Sequence, residues 1–135
     1  MRAAGFREIE HTADWELEVW APDLAGLLEQ AARGMYALSG AKLQDGPCQR
    51  RSFTLQAMDR ESLLVSFLSE LLYLGEREQL GFDHYQLSLE GDRLHAELEG
   101  AALTALDKEI KAVTYHNLAI RQGEDRLEVR IVFDV

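Results

Sequence analysis

The feature that most constrains the fold is one helical segment with an unusually wide apolar stripe. Asp59 is an N-cap candidate for it, because a carboxylate can accept first-turn N–H groups, and Glu61 suits the first turn. The apolar stripe consists of Leu63, Leu64, Phe67, Leu68, Leu71, Leu72 and Leu74. That stripe is too wide for a surface helix, so we predict a helix from Arg60 to Leu74, ended by Gly75 and packed on more than one side.

A strand and another helix precede this segment. Apolar residues alternate with glutamates from Trp15 to Trp20, which predicts a half-buried strand. Asp23 is the N-cap candidate of a helix that Gly40 ends. Its apolar residues recur at helical spacing at Leu24, Leu27, Leu28, Ala31, Met35 and Leu38. We then predict a loop from Leu43 to Cys48 and a second strand over Phe53 to Ala57.

The second half of the chain has the pattern of two β-hairpins. Alternating apolar residues from Tyr85 to Leu89 and from Leu94 to Leu98 flank a Gly91-Asp92 turn. In the second hairpin, a strand that contains Leu118 and Ile120 leads through a polar turn to alternating residues from Leu127 to Phe133.

Residues 100–113 lie between the hairpins and are predicted as a loop that leads into a strand containing Val113 and Tyr115. The prediction therefore comprises two helices and about seven strands, mostly joined by hairpins. This pattern indicates an α+β fold with mainly antiparallel sheet. The length of 135 residues suits one domain over 1–135.

Charge and cysteine content limit the possible functions. With 14 basic and 24 acidic residues the net charge is −10, which opposes direct binding of nucleic acid and suits a basic partner or a metal ion. The only cysteine, Cys48, excludes an internal disulfide and a multi-cysteine zinc site. No signal-peptide core precedes Glu8, and the apolar stretch from Leu63 to Leu74 is shorter than the roughly 20 residues of a membrane span. We expect a cytoplasmic protein.

Familiar catalytic signatures, such as a Gly-rich phosphate loop or a Gly-x-Ser-x-Gly elbow, are absent from the sequence. Four short motifs with polar side chains remain. They are His11-Thr12-Ala13-Asp14, Ser69-Glu70-Leu71-Leu72-Tyr73-Leu74, Lys111-Ala112-Val113-Thr114-Tyr115-His116 and Phe133-Asp134-Val135. Taken singly, each has an ordinary structural explanation: a turn, a core helix, a strand with a solvated lysine, and a frayed end.

Together and in this order, the four motifs resemble those of the archease family, from near residue 6 to the last residue. The resemblance implies a small acidic protein cofactor of the RtcB-type, GTP-dependent RNA ligase. Such a cofactor promotes guanylylation of the ligase, so that the ligase turns over repeatedly. The ligase joins a 2′,3′-cyclic phosphate or 3′-phosphate end to a 5′-hydroxyl end, as in tRNA splicing and RNA repair.

The resemblance also implies site residues. The metal-binding positions of the family fall on Asp14, Asp134 and Val135, the last through its backbone oxygens. A functionally important lysine falls on Lys111, and His116 is a further candidate for activating the partner. Lys111 would pair either with a carboxylate of the site or with a phosphate of the nucleotide.

Strand alternation gives an independent argument for the metal site. Asp14 shares a face with Glu16, and Asp134 shares a face with Val132, so both lie off the apolar faces. If the start of the first strand pairs antiparallel with the end of the last, the two carboxylates and the terminal carboxylate of Val135 converge. Crowded anions favour a hard cation, with Ca²⁺ the first candidate and Mg²⁺ or Mn²⁺ as alternatives. Water or a partner group would complete the coordination.

Two other classes of function remain open. One is a small metal-dependent hydrolase, in which Asp14 and Asp134 hold the metal and His116 is the base. The other is a chaperone-like or nucleic-acid-binding module, which would have to overcome the charge of −10. The leading hypothesis is a non-catalytic activator that binds the ligase transiently and has no strong RNA affinity of its own.

Overall fold

The computed structural model describes residues 4–9 and 15–135 and places two helices and nine strands in them. The elements are β1 (Gly5–Ile9), β2 (Trp15–Ala21), α1 (Leu24–Ser39), β3 (Lys42–Leu43), β4 (Gln49–Gln56), α2 (Arg60–Glu78), β5 (Leu80–Glu90), β6 (Arg93–Ala105), β7 (Ala112–Val113), β8 (Arg121–Gln122) and β9 (Leu127–Asp134). All described strand pairs are antiparallel, and both helices contact both sheets. The predicted α+β class is confirmed.

The larger sheet contains five strands in the order β1-β2-β9-β7, and β8 also pairs with β9. In the β2–β9 register, Trp15 lies opposite Phe133 and Ala21 lies opposite Leu127. Burial alternates along β9, with every second residue from Leu127 to Phe133 buried. One face of this sheet therefore packs on the core, and the other carries polar side chains.

The smaller sheet is built around β6, with which β3, β4 and β5 all pair. The β5–β6 hairpin turns at Gly91, whose φ is 62°, as the sequence predicts. A register shift in β5 lies between Phe82 and His84, opposite Gly100. A side chain at Gly100 would overlap the Gly81 backbone, so the two strands can approach this closely only at a glycine.

Both predicted N-caps are confirmed. The Asp23 carboxylate accepts from the Gly26 N–H at 2.8 Å, and the Asp59 carboxylate accepts from the Ser62 N–H at 2.7 Å. The bond from the Ser62 N–H lowers the pKa of Asp59, because it stabilises the carboxylate. Gly40 ends α1 in the left-handed conformation at φ 67°, also as predicted.

The predicted end of α2 is wrong, because the helix passes through Gly75 and continues to Glu78. A Cβ at position 75 would have ordinary contacts, so the glycine marks no backbone requirement there. The residue that ends the helix is Gln79, at φ 56°, and its N–H donates to the Gly75 carbonyl. Residues 76–78 are good helix formers, and they extend the helix by one turn.

The strands of the structure differ from the predicted ones at five places. β1 was not predicted, and Leu43 belongs to β3 rather than to a loop. Residues 100–105 continue β6, because β3 and β5 pair with them. The strands predicted at Tyr115 and at residues 118–120 are absent. Instead, the chain leaves the sheet after the Thr114 N–H and hydroxyl both donate to the Val132 carbonyl.

The wide apolar stripe of α2 lies in the core, as predicted. Its residues are almost all buried, and the Phe67 ring lies 6.3 Å from the Phe53 ring of β4. Leu72 is the exception, since it is only partly buried at the edge of the core. Neither described helix has the combination of length and apolar character that a bilayer crossing requires.

Candidate functional site

The end of β9 is held between two neighbouring strands. On one side Phe133 lies opposite Trp15 of β2, and on the other Asp134 lies opposite Ala112 of β7. The Lys111 N–H donates to the Asp134 carbonyl at 2.8 Å. The Asp134 side chain is exposed and lies on the face opposite Phe133, as the alternation predicts. Val135 packs partly buried against the core.

The metal site predicted from the sequence lies partly within the described residues. Asp14 and the rest of the motif from His11 lie outside the described residues. The strand pairing on which the prediction depends is present, since β2 begins opposite the end of β9. Within residues 4–9 and 15–135, no group of three His, Cys, Asp or Glu side chains is arranged to hold a metal. The site at Asp14, Asp134 and Val135 therefore stays a prediction.

Lys111 lies in the wall of a cavity between the two helices, β7 and residues 106–111, which we call the helix-side cavity. Its volume is about 550 Å³, within the range of about 300–1,000 Å³ that is usual for ligand sites. Its walls are largely apolar, and Leu71, Leu72, Ile110 and Val113 contribute to them. The structure therefore places the functional lysine implied by the family beside an apolar cleft.

The mouth of this cavity carries two exposed apolar side chains. Tyr73 is 51% exposed, Leu106 is 47% exposed, and Glu76 and Glu109 also line the cavity. The sequence pattern predicts core for residues 71–74 and a loop for Leu106, and it does not indicate this surface. Tyr73 could have been recognised, because it falls outside the helical spacing of the buried stripe.

Residues 106–111, which carry Lys111, are tied to the body of the protein. The N–H groups of Asp107 and Lys108 both donate to the Ser39 carbonyl, at 2.8 and 3.1 Å. The Lys108 ammonium lies 5.4 Å from the centre of the Trp15 ring, a cation–π distance. A side chain at Gly40 would overlap the Asp107 carboxylate. These contacts fix the segment to the end of α1 and to the start of β2.

His116 lies in a different place from Lys111. It lines a second cavity of about 900 Å³ over the polar face of β2 and β9, which we call the outer-face cavity. Ion pairs cross its floor: the Arg130 guanidinium lies 3.6 Å from the Glu16 carboxylate and 3.4 Å from the Glu18 carboxylate. The structure therefore does not bring His116 and Lys111 into one pocket.

Two buried tyrosine hydroxyls lie where α1 meets β5. The Tyr85 hydroxyl donates to the Phe82 carbonyl at 2.6 Å, and the Tyr36 hydroxyl is buried near the Phe82 backbone. Burial raises the pKa of both phenols, and their proximity raises that of Tyr85 further. The Arg33 guanidinium lies 4.9 Å from the Tyr85 ring centre and partly offsets the shift of Tyr85. Both groups are neutral at physiological pH.

Comparison with known proteins agrees with this architecture. The profile of the Archease protein family (MTH1598/TM1083) matches residues 6–135. Protein archease of Methanosarcina barkeri is 31% identical over 96% of this chain and 95% of its own length, and that of Thermococcus gammatolerans is 32% identical over 86% and 87%. The solution structure of Methanobacterium thermoautotrophicum protein 1598 has the same fold, with a TM-score of 0.71, 24% identity and coverage of 97% and 99%. The chain belongs to the Archease protein family.

Proposed function

We propose that this protein is a metal-binding cofactor of an RtcB-type, GTP-dependent RNA ligase. It promotes guanylylation of the ligase and so allows multiple turnovers in tRNA splicing and RNA repair. Family membership across residues 6–135 is the observation that carries this proposal. The protein acts in the cytoplasm as a transient partner of the ligase and performs no catalytic turnover itself.

The proposed metal ligands are the carboxylates of Asp14 and Asp134 and a backbone oxygen of Val135. Two observations support them: the Asp134 side chain is exposed at the end of β9, and β2 begins opposite that end. Oxygen ligands of this kind suit Ca²⁺, Mg²⁺ or Mn²⁺. When bound, the ion supplies a concentrated positive charge with open positions, since calcium prefers about six to eight ligands.

Lys111 acts on the partner in this proposal, because a protonated amine cannot ligate a metal. Its backbone N–H is bonded to the Asp134 carbonyl, so its position follows the end of β9. Its side chain is exposed beside the helix-side cavity, where it can meet a phosphate or a carboxylate in the complex. The net charge of −10 opposes strong RNA binding by this protein alone.

The proposal is tested by guanylylation and multiple-turnover ligation assays of the cognate ligase, with and without this protein. Asp134→Asn should abolish stimulation, because it removes the charge of one proposed ligand. Asp125→Asn, an equal charge change at an exposed position before β9, should stimulate like the wild type. Normal stimulation by Asp134→Asn would contradict the assignment, and no stimulation by the wild type would contradict the proposed function.

Calorimetric titration with Ca²⁺ or Mn²⁺ separates the metal from Lys111. Lys111→Ala should lose stimulation but keep the metal affinity of the wild type. Asp134→Asn should lose both the stimulation of the ligase and the metal affinity. If Lys111→Ala also lost the metal, the lysine would organise the site rather than act on the partner.

A further inference from the structure

The helix-side cavity has exposed apolar side chains in its walls. In the described part of the chain, four large apolar side chains are about half or more exposed: Met58, Tyr73, Leu106 and Tyr115. Two of them, Tyr73 and Leu106, line this one cavity. Exposed apolar groups that line one concave site are typical of a protein-binding surface, in which a few anchoring side chains carry most of the affinity.

The charges that line the cavity favour a basic occupant. Glu76 and Glu109 contribute two carboxylates, whereas Lys111 contributes one ammonium. The whole chain carries a net charge of −10, which adds to the attraction for a basic segment. The carboxylates of Glu76 and Glu109 also disfavour a free nucleotide, because they would repel its phosphates.

The cavity is also continuous with the proposed functional site. Lys111 belongs to its wall, and the Lys111 N–H is bonded to the Asp134 carbonyl. Residues 106–111, which connect the cavity to the end of β9, are fixed by the bonds to Ser39 and by the Lys108–Trp15 contact. A partner segment seated in the cavity is therefore held next to Lys111 and the end of β9.

We propose that the helix-side cavity is the docking site for a segment of the ligase in which a large apolar side chain is flanked by Lys or Arg. This inference rests on the proposed function. The apolar side chain sits between Tyr73 and Leu106, where it removes both from water. The flanking cations face Glu76 and Glu109.

The first test measures the affinity of the purified ligase for this protein by isothermal titration calorimetry. Tyr73→Ala and Leu106→Ala should each weaken binding about tenfold or more, as truncation of anchoring residues does. Tyr73→Phe should bind like the wild type, because it keeps the ring. Met58→Ala is the matched control, since Met58 is 98% exposed but lies outside the cavity.

A charge-reversal pair tests the choice of a basic occupant. Glu76→Lys should weaken binding of the ligase and reduce the salt dependence of the affinity. Glu90→Lys makes the same change in net charge at the exposed end of β5, so it should have a clearly smaller effect. Lysine in the last turn of α2 suits the helix dipole, so Glu76→Lys should fold normally.

The outcomes separate this inference from the proposed function. If the wild type binds and activates the ligase but Tyr73→Ala and Leu106→Ala bind equally well, the docking site is wrong and the activator function stands. If the wild type neither binds nor activates the ligase, the proposed function is wrong, and the inference falls with it. Titration with GTP gives a third outcome: binding that Tyr73→Ala abolishes would assign the cavity to a nucleotide instead. Equal thermal unfolding of all variants excludes loss of fold as the cause.

Discussion

The helix-side cavity and the outer-face cavity differ in what builds their walls. On the helix side, Leu71 and Met35 line the cavity and are each only 1% exposed, so its wall is the surface of the hydrophobic core. The floor of the outer-face cavity consists of side chains on the polar face of β2 and β9, linked by ion pairs such as those of Arg130. The first cavity is therefore shaped by close packing, and the second by screened charges.

This difference bears on function. A preformed apolar cleft needs little ordering before it binds a partner, because core packing already holds its walls. Ion pairs in which one partner is exposed, as the 63% exposed Arg130 is, hold that side chain weakly and respond to salt. A docking surface is thus expected on the helix side, and four stability measurements test whether the two regions differ as the structure indicates.

The largest effect is expected from Leu71→Ala. The substitution removes a fully buried side chain from the wall of the helix-side cavity and should lower the free energy of unfolding by about 2–5 kcal/mol. Chemical denaturation measures the change. The comparison is Val132→Ala, at a partly buried position that lines the outer-face cavity. This substitution should lower the free energy of unfolding clearly less. Equal losses would mean that the two walls are packed alike.

A smaller effect is expected where α2 meets the segment beside the outer-face cavity. The Glu61 carboxylate accepts from the N–H of Ile120, a residue only 6% exposed, at 2.8 Å. Glu61→Met leaves that N–H without an acceptor and should cost about 1–3 kcal/mol of unfolding free energy. Glu61→Gln keeps an accepting oxygen and should cost less. Equal stability of Glu61→Met and the wild type would contradict the importance of this bond.

The buried hydroxyls of Tyr36 and Tyr85 should make the stability of the protein sensitive to alkaline pH. Burial raises the pKa of Tyr36 and Tyr85 in the folded state, so their contribution to stability is complete below the unfolded-state pKa of about 10. It is lost as the pH rises above that value.

Tyr85→Phe removes one of these phenols and its bond to the Phe82 carbonyl. It should cost about 1 kcal/mol near neutral pH and make the alkaline loss shallower. Denaturation at a series of pH values measures both effects. If the stability of Tyr85→Phe fell as steeply at alkaline pH as that of the wild type, groups other than Tyr85 would be responsible for the loss.

The smallest effect is expected at the outer face. Arg130 is 63% exposed and pairs with Glu16 and Glu18, so Arg130→Met should cost less than about 1 kcal/mol of unfolding free energy. The difference from the wild type should shrink further at high salt. Leu71→Ala serves as the control, because its cost should be almost independent of salt. A salt-insensitive loss at Arg130 would mean that packing of its side chain dominates.

Local sequence signals predicted the parts of the fold that depend on near neighbours. Asp23, Asp59 and Gly40 mark helix ends because their effects act within one turn of the chain. Strands were predicted where one face is buried and the other solvated, as in β2 and β9. The extension of β6 over residues 100–105 was not predictable, because it depends on partners that are distant in sequence.

The candidate site, too, was predictable from the sequence only in part. Motif order and strand alternation singled out Asp134 and Lys111, and the β2–β9 pairing that the metal prediction requires is present. The separation of His116 from Lys111 was not predictable. The two residues are five positions apart, but the chain leaves the sheet after Thr114, the last residue bonded to Val132, and turns at Asn117, whose φ is 52°.

The sequence by itself determined the class of fold, the family and the residues that carry the candidate chemistry, because periodicity, capping and motif order are local properties. Only the tertiary structure decided which distant residues lie together. Tyr73 and Leu106 are 33 positions apart, and no pattern in the chain links them. They line one cavity because α2 packs beside β7 and residues 106–111 are tied to the end of α1. Contacts between distant segments are set by the packing of the whole core, which no local pattern records.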